Sequence, residues 1–469
     1  MENGDPYTSD RVDDYLDRIR TLPEDSVAGA FPPVEPRERA DPHDAFAATF
    51  LTDTPVDGPL AELSLAVKEN VAVGGVETTC GTDCFSWTPD RDAVVVERLR
   101  AAGGAVVGTT DMDAFAFGTT GEWSARGAPE NPAAPGYVPG GSSSGSAAAV
   151  AGDDVDAALG TDTAGSVRIP AAFCGVVGFK PTYGLVPTEG VVDLSPSNDH
   201  VGVLGRDVST TARVLEAVAG REITNPASLT APTRLSFIDD IERPPPRLRI
   251  GIPEECMDAA EQAVEARVEA ALTTCITELD ADTTDVSFPE VAAAVTTNDA
   301  QTLMEFAALL ERGQLLGTGR DPGMRAALRR ANGRIDELPD RIATAIRTGR
   351  GLLDAAPDAY GRTWDTRRRT IRRQQALFAD ADVLAMPTTL MPAPEYGVVP
   401  SEGGPDIAET VHNTAPFNAT GAPAVTIPCG EVDGRPVGLQ LVAPAGSDGF
   451  LLRVAESVER ALGSRSASP

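Results

Sequence analysis

Apolar residues recur along this chain with two different periods. Between about residues 61 and 220, short β-like runs at Leu63–Val73, Ala105–Gly108, Val155–Leu159 and Phe173–Phe179 alternate with helical stretches at Ala93–Ala102, Ala147–Ala151 and Ser209–Ala219. That alternation predicts an α/β sheet with helices on its faces. Ser209 or Thr210 can cap the last helix and Gly220 can end it. A connector containing Pro226, Pro232 and Pro244–Pro246 follows. Beyond it the pattern predicts a strand at Arg247–Pro253, a helix over Met257–Leu279 and mostly helix from 300 to 379. Strands are then expected at Asp382–Met386, Ala424–Pro428 and Val437–Val442, with a last helix from Phe450 to Leu462. Residues 1–55 are acidic, Pro-rich after Leu22, and carry one amphipathic helix over Arg11–Arg20. They read as an N-terminal arm.

Composition narrows the class. With 469 residues and 42% hydrophobic positions, the chain can bury a large core. Its formal charge of -31 opposes non-specific binding to nucleic acid or to anionic membrane. Only two lysines, Lys68 and Lys180, stand beside 37 arginines. Strong acidity with so little lysine fits adaptation to high intracellular salt, where carboxylates keep the surface hydrated and salt screens their repulsion. MENGDPYTSD has no apolar segment after a basic start, and no run reaches the roughly 18 apolar residues of a membrane span, so a cytoplasmic protein is expected. The six cysteines read as reduced thiols. Cys80 and Cys84 lack a second ligand pair, and His43, His200 and His412 lie far apart in sequence, so no metal site or cofactor is expected. Arg320–Arg373 holds 14 Arg against 7 acids. The segment could dock an anionic partner such as RNA, but pairing with the acidic body of the same molecule needs no partner and is preferred.

The chemistry concentrates in Gly140–Thr182. Two small-residue turns, Gly140–Ser146 and Thr163–Ser166, are separated by a helix-then-strand pattern. Glycine lets a substrate approach main-chain N–H groups, and successive N–H groups can cradle an anion. GGSSSGS lacks the Gly-Lys-Ser/Thr ending of a phosphate loop. An oxyanion hole is the other candidate. A nucleophilic serine needs a base, yet no histidine lies in either turn, and His200 in SNDHVG reads as structural. Lysine can serve if its pKa falls from about 10.4 towards neutrality, whereas arginine does not deprotonate. A lysine kept inside the apolar run LSLAVKENVAV is therefore the leading candidate base, with Lys180 in GFKPT competing.

Here the chain resembles the amidase signature family. GGSSSGS, TDTAGSVRIP and GFKPT match its central motif, and the likeness continues through AVKENV, GTTGEWSARGAPENP, GAPAVTIPCG and RPVGLQLVAP, from about residue 60 to 460. The resemblance implies one α/β domain spanning 1–469. It would have a mixed central β-sheet covered by helices on both faces and a mostly helical insertion at 221–380. It also implies a Ser–cis-Ser–Lys triad, with Ser166 as nucleophile, Ser142 as bridging cis-serine and Lys68 as base. Backbone amides of Thr163, Ala164, Gly165 and Ser166 would form the oxyanion hole. Ser143, Asp162 and Arg168 fall on positions that hold the two turns. Ser144 and Ala164 stand where the family usually has glycine, so both turns must avoid positive φ there or carry strain.

The implied activity is cleavage of a small-molecule carboxamide to carboxylate and ammonia or amine through an acyl-serine. A homodimer is common among lookalikes. The family also contains the glutaminase (A) subunit of aspartyl/glutamyl-tRNA amidotransferase. That protein usually has an acid shortly before the motif matched by PFNATGAP, where Val411 stands here. This difference favours a free-standing amidase. The remaining alternative is an inactive scaffold of the same fold. The acyl pocket is expected along residues 120–125, the 190–200 loop and helices of 300–380.

Overall fold

Because side chains alternate across a strand, one sheet can feed two cores. The computed structural model describes residues 16–19, 21, 35–36, 39–51, 57–313, 321–356, 358–398 and 407–463. Its strands are β1 (Glu35–Pro36), β2 (Phe46–Leu51), β3 (Ser64–Lys68), β4 (Ala105–Thr110), β5 (Ala157–Asp162), β6 (Val177–Lys180) and β7 (His200–Gly205). They continue with β8 (Arg249–Pro253), β9 (Asp282–Val286), β10 (Val383–Pro387), β11 (Ala424–Val432) and β12 (Arg435–Val442). All join a 12-stranded sheet in the order β1-β2-β4-β3-β5-β7-β6-β11-β12-β10-β8-β9. β3 runs parallel to β4 and β5, and β8 to β9 and β10, while the other pairs are antiparallel. The sheet is therefore mixed, which the α/β alternation alone leaves open.

Leu65, Val67, Ala157, Leu159 and Val203 join the larger core with helices Val94–Ala101 and Val208–Val218. Their strand neighbours Ala66, Ala158 and Leu204 join a second core with helices Ser144–Ala151 and Arg168–Cys174. Helices thus cover both faces. Helix Ser144–Ala151 is buried all round except at Ala151, which explains its small-residue sequence SGSAAAVA. This second face carries the site.

The chain divides into two units, residues 1–30 and 31–469. In the first, residues 16–19 are helical, and residues 11–15 and 20 of the expected amphipathic helix lie outside the described residues. Within the segment read as an arm, Phe46–Leu51 is a strand paired with β4. The run Phe173–Phe179 is not one strand: helix Arg168–Cys174 ends at Gly175 (φ 67°) and β6 begins at Val177. A short apolar run does not distinguish a buried helix from a strand. β7 escapes the sequence pattern because its first residue follows the polar stretch SPSND. Between 221 and 380, helices Val291–Arg312, Pro322–Asn332, Asp340–Ala355 and Ala359–Leu377 accompany β8 and β9. Among the described residues, arginines of the basic stretch meet carboxylates, as Arg334 does Glu337, Arg347 Asp336, Arg362 Asp358, Arg368 Asp365, and Arg373 Glu290. Among the described residues no helix is long and apolar enough to cross a membrane.

The cap of helix Val208–Val218 is Asp207, not Ser209 or Thr210: its carboxylate accepts from the Thr210 amide at 2.6 Å. Asp207→Ala is expected to lower stability by about 1 kcal/mol, read as a drop in thermal midpoint, with amide turnover unchanged.

Candidate active site

β3 places Lys68 on the same face as Ala66, beneath the turn that leads into helix Ser144–Ala151. Lys68 and Ser142 are both fully buried, and Lys68 Nζ lies 2.7 Å from Ser142 Oγ and 3.0 Å from Thr161 Oγ1. The Gly141–Ser142 peptide is cis. A side chain at Gly141 would start 2.0 Å from Asp113 Oδ2, so only glycine fits there. Ser143 joins the two turns: its Oγ donates to the Thr161 carbonyl at 3.2 Å and its amide to the Ser166 carbonyl at 3.3 Å. Ser144 opens the helix, and neither it nor Ala164 takes positive φ. Gly140 (φ 80°) and Gly165 (φ 145°) carry the left-handed geometry instead. The two departures from glycine are therefore accommodated without strain.

The second turn leaves β5 at Asp162. Asp162 Oδ1 lies 2.9 Å from Arg168 Nη2, both side chains being wholly buried. Burial alone would raise the Asp162 carboxyl, but the guanidinium beside it holds it well below the usual carboxylate range. Arg168 also donates to the Thr414 carbonyl at 3.0 Å, Gln440 Oε1 at 2.8 Å and Asn418 Oδ1 at 2.5 Å. The turn is thus anchored to the C-terminal part of the chain. Ser166 lines a cavity together with Thr163 and Ala164 of the same turn.

Burial brings the Lys68 ammonium down to about 7, opposed by the negative charges of Asp113, Asp162 and Asp199. The Asp113 carboxyl is itself pushed up to about 6 by burial, against the amides of Trp123 and Gly121 that donate to it. Asp199 is also raised by burial, while it accepts from Thr163 Oγ1 at 2.6 Å and from the amides of Leu194 and Ser195. Lys180 does not reach the serines; its Nζ donates to the carbonyls of Pro181 and Ala422. His200 is buried at 2.7 Å from the Asn198 carbonyl, and burial with the nearby Lys180 charge drives its pKa well below the ordinary range. Neither hydrogen-bonds to Ser142 or Ser166, and both are held by backbone carbonyls.

The cavity has a volume of about 230 Å³. Its described lining comes from residues 116–119 rather than 120–125, from Leu194 in the expected loop, from helix Val291–Arg312 and from Ala408 and Val411. Asp113, Asp199, Asn298 and Thr414 do not stand out in the sequence. Each is an ordinary polar residue whose role emerges only from the tertiary contact, although Asp199 adjoins His200.

An Amidase family model matches residues 11–452. The A subunit of glutamyl-tRNA(Gln) amidotransferase from Natronomonas pharaonis is 39% identical over 428 residues, covering 89% of this chain and 99% of that protein. Among solved structures, the corresponding A subunit from Thermotoga maritima superposes with TM-score 0.74 at 30% identity, covering 89% and 87% of the two chains. Peptide amidase from Stenotrophomonas maltophilia gives TM-score 0.72 at 31% identity, covering 88% and 84%. This chain belongs to the amidase signature family and is an amide-hydrolysing enzyme.

Proposed function

We propose that Ser166 attacks the carbonyl carbon of a carboxamide. As the Oγ–C bond forms, the Ser166 proton passes to Ser142 Oγ while the Ser142 proton passes to Lys68 Nζ. The amides of Thr163, Ala164, Gly165 and Ser166 receive the developing oxyanion. The proton returns to the nitrogen as the C–N bond breaks, ammonia leaves, and water then hydrolyses the acyl-serine by the same relay. One observation carries this reading: a buried lysine, its pKa brought down to about 7 by burial, whose Nζ lies 2.7 Å from Ser142 Oγ. Ser143, Asp162 and Arg168 hold the two turns in register.

For the donor amide, the relatives favour glutamine and the glutaminase (A) subunit of a tRNA-dependent amidotransferase. That reverses the order of the two active readings that Val411 implied. On this reading the chain works in the cytoplasm with partner subunits, and glutamine is its small-molecule substrate. A free-standing amidase stays as the second reading because Phe117, Leu194, Val295 and Val411 line the cavity, with Asp299 the one charged residue among the described lining positions.

Ammonia release in molar KCl separates them. The amidotransferase reading expects glutamine to be the preferred donor, with turnover raised by the partner subunits and tRNA. Rapid turnover of simple aliphatic or aromatic amides by the isolated chain, with glutamine inert, would replace it by the free-standing amidase. No turnover of any amide under either condition would leave the inactive scaffold.

A further inference from the structure

We propose that Asn298 and Thr414 are positioning residues that set the direction of the oxyanion-binding amides. The inference rests on the acyl-serine reading above. In a trans peptide the C=O and the following N–H point in opposite directions, so fixing a carbonyl fixes the next amide. Asn298 Nδ2 donates to the Thr163 carbonyl at 3.0 Å, which aims the Ala164 N–H the other way. Thr414 Oγ1 donates to the Ala164 carbonyl at 2.6 Å, which does the same for the Gly165 N–H. Among the described residues, nothing in the protein accepts from the amides of Ala164, Gly165 or Ser166.

Both positioning side chains are themselves immobilised. Asn298 is 2% exposed on helix Val291–Arg312, and Thr414 is wholly buried with its own carbonyl held by Arg168 Nη1. A Cβ at Gly165 would meet Thr414 Oγ1 at 2.3 Å, so Thr414 packs flush against the turn. Thr163 Oγ1 is tied separately to Asp199. The two carbonyls are thus held by elements distant in sequence, and the Ala164 and Gly165 amides that follow them have no acceptor among the described residues.

The test is the rate at which a fluorophosphonate probe labels the protein. Ser166 Oγ displaces fluoride from phosphorus, its proton passes through Ser142 to Lys68, and the phosphoryl oxygen takes the place of the oxyanion. Losing one direct oxyanion donor lowers rates about 10²–10³-fold, so misaiming one is expected to slow labelling by Thr414→Val about 10–100-fold. Asn298→Ala is expected to show a similar loss. Thr414→Ser, which keeps the hydroxyl, restores the native rate, and thermal midpoints show that each variant is folded. Native labelling in folded Thr414→Val and Asn298→Ala overturns the proposal, as does a loss in Thr414→Val that Thr414→Ser fails to restore. Ser166→Ala is run in parallel. Labelling that survives there overturns Ser166 as the nucleophile, and this inference with it, by a different signal.

Discussion

Replacing Lys68 by alanine or by arginine is expected to lower kcat for amide cleavage by about 10⁴-fold, the upper range for loss of a general base. Alanine removes the base, and arginine fails for another reason: a guanidinium does not give up its proton in a protein. In the native enzyme kcat/KM is expected to fall below about pH 7, as Lys68 becomes protonated. The carboxylate of Asp113 raises the Lys68 pKa. Asp113→Asn removes that charge, so the acid limb of the profile should move to lower pH. A Lys68→Arg enzyme within about tenfold of the native rate would exclude the lysine as base.

The second large effect is on stability. Arg168→Met leaves the buried Asp162 carboxylate without its charge partner, and breaking such a pair costs about 3–5 kcal/mol. Equilibrium denaturation at fixed salt measures it. The pH dependence identifies the cause. In the native chain Asp162 titrates below its unfolded value of about 3.9, so its contribution is present above that value and is lost as pH falls through the folded one. Without Arg168, burial raises the carboxyl, and protonating it relieves the penalty. The gap between variant and native should therefore narrow as pH falls from about 7 towards the unfolded carboxyl value of about 3.9. A gap that stays constant over that range would show lost packing of the arginine stem instead. Asp162→Asn combined with Arg168→Met should recover part of the loss.

Much of this is legible in the sequence because the chain uses lysine so sparingly. With lysine at only two positions, one inside LSLAVKENVAV, the candidate bases reduce to Lys68 and Lys180. The geometry that separates them is tertiary: Lys68 reaches Ser142, and Lys180 turns to two carbonyls. The two serine turns are readable from their glycines, and the strands β3, β4 and β5 from their apolar runs. Asn298 and Thr414 are not, since they lie 135 and 250 positions from the residues they hold, and no local period marks them. The helix Arg168–Cys174 is hidden for the opposite reason. It is buried throughout and continuous in hydrophobicity with the strand that follows, so the pattern offers no boundary except Gly175.

The anchoring of the second turn also bears on when the enzyme becomes competent during synthesis. Arg168 finds Gln440 at a separation of 272 residues, and Thr414 and Asn418 at 246 and 250. Until those residues have been translated, Asp162 and Arg168 can pair but the guanidinium has none of its other partners. A nascent chain carrying Lys68, Ser142 and Ser166 thus holds all three groups of the proposed relay long before it can align them. Activity should switch on only when the last strands, β11 and β12, close onto β6 and β10.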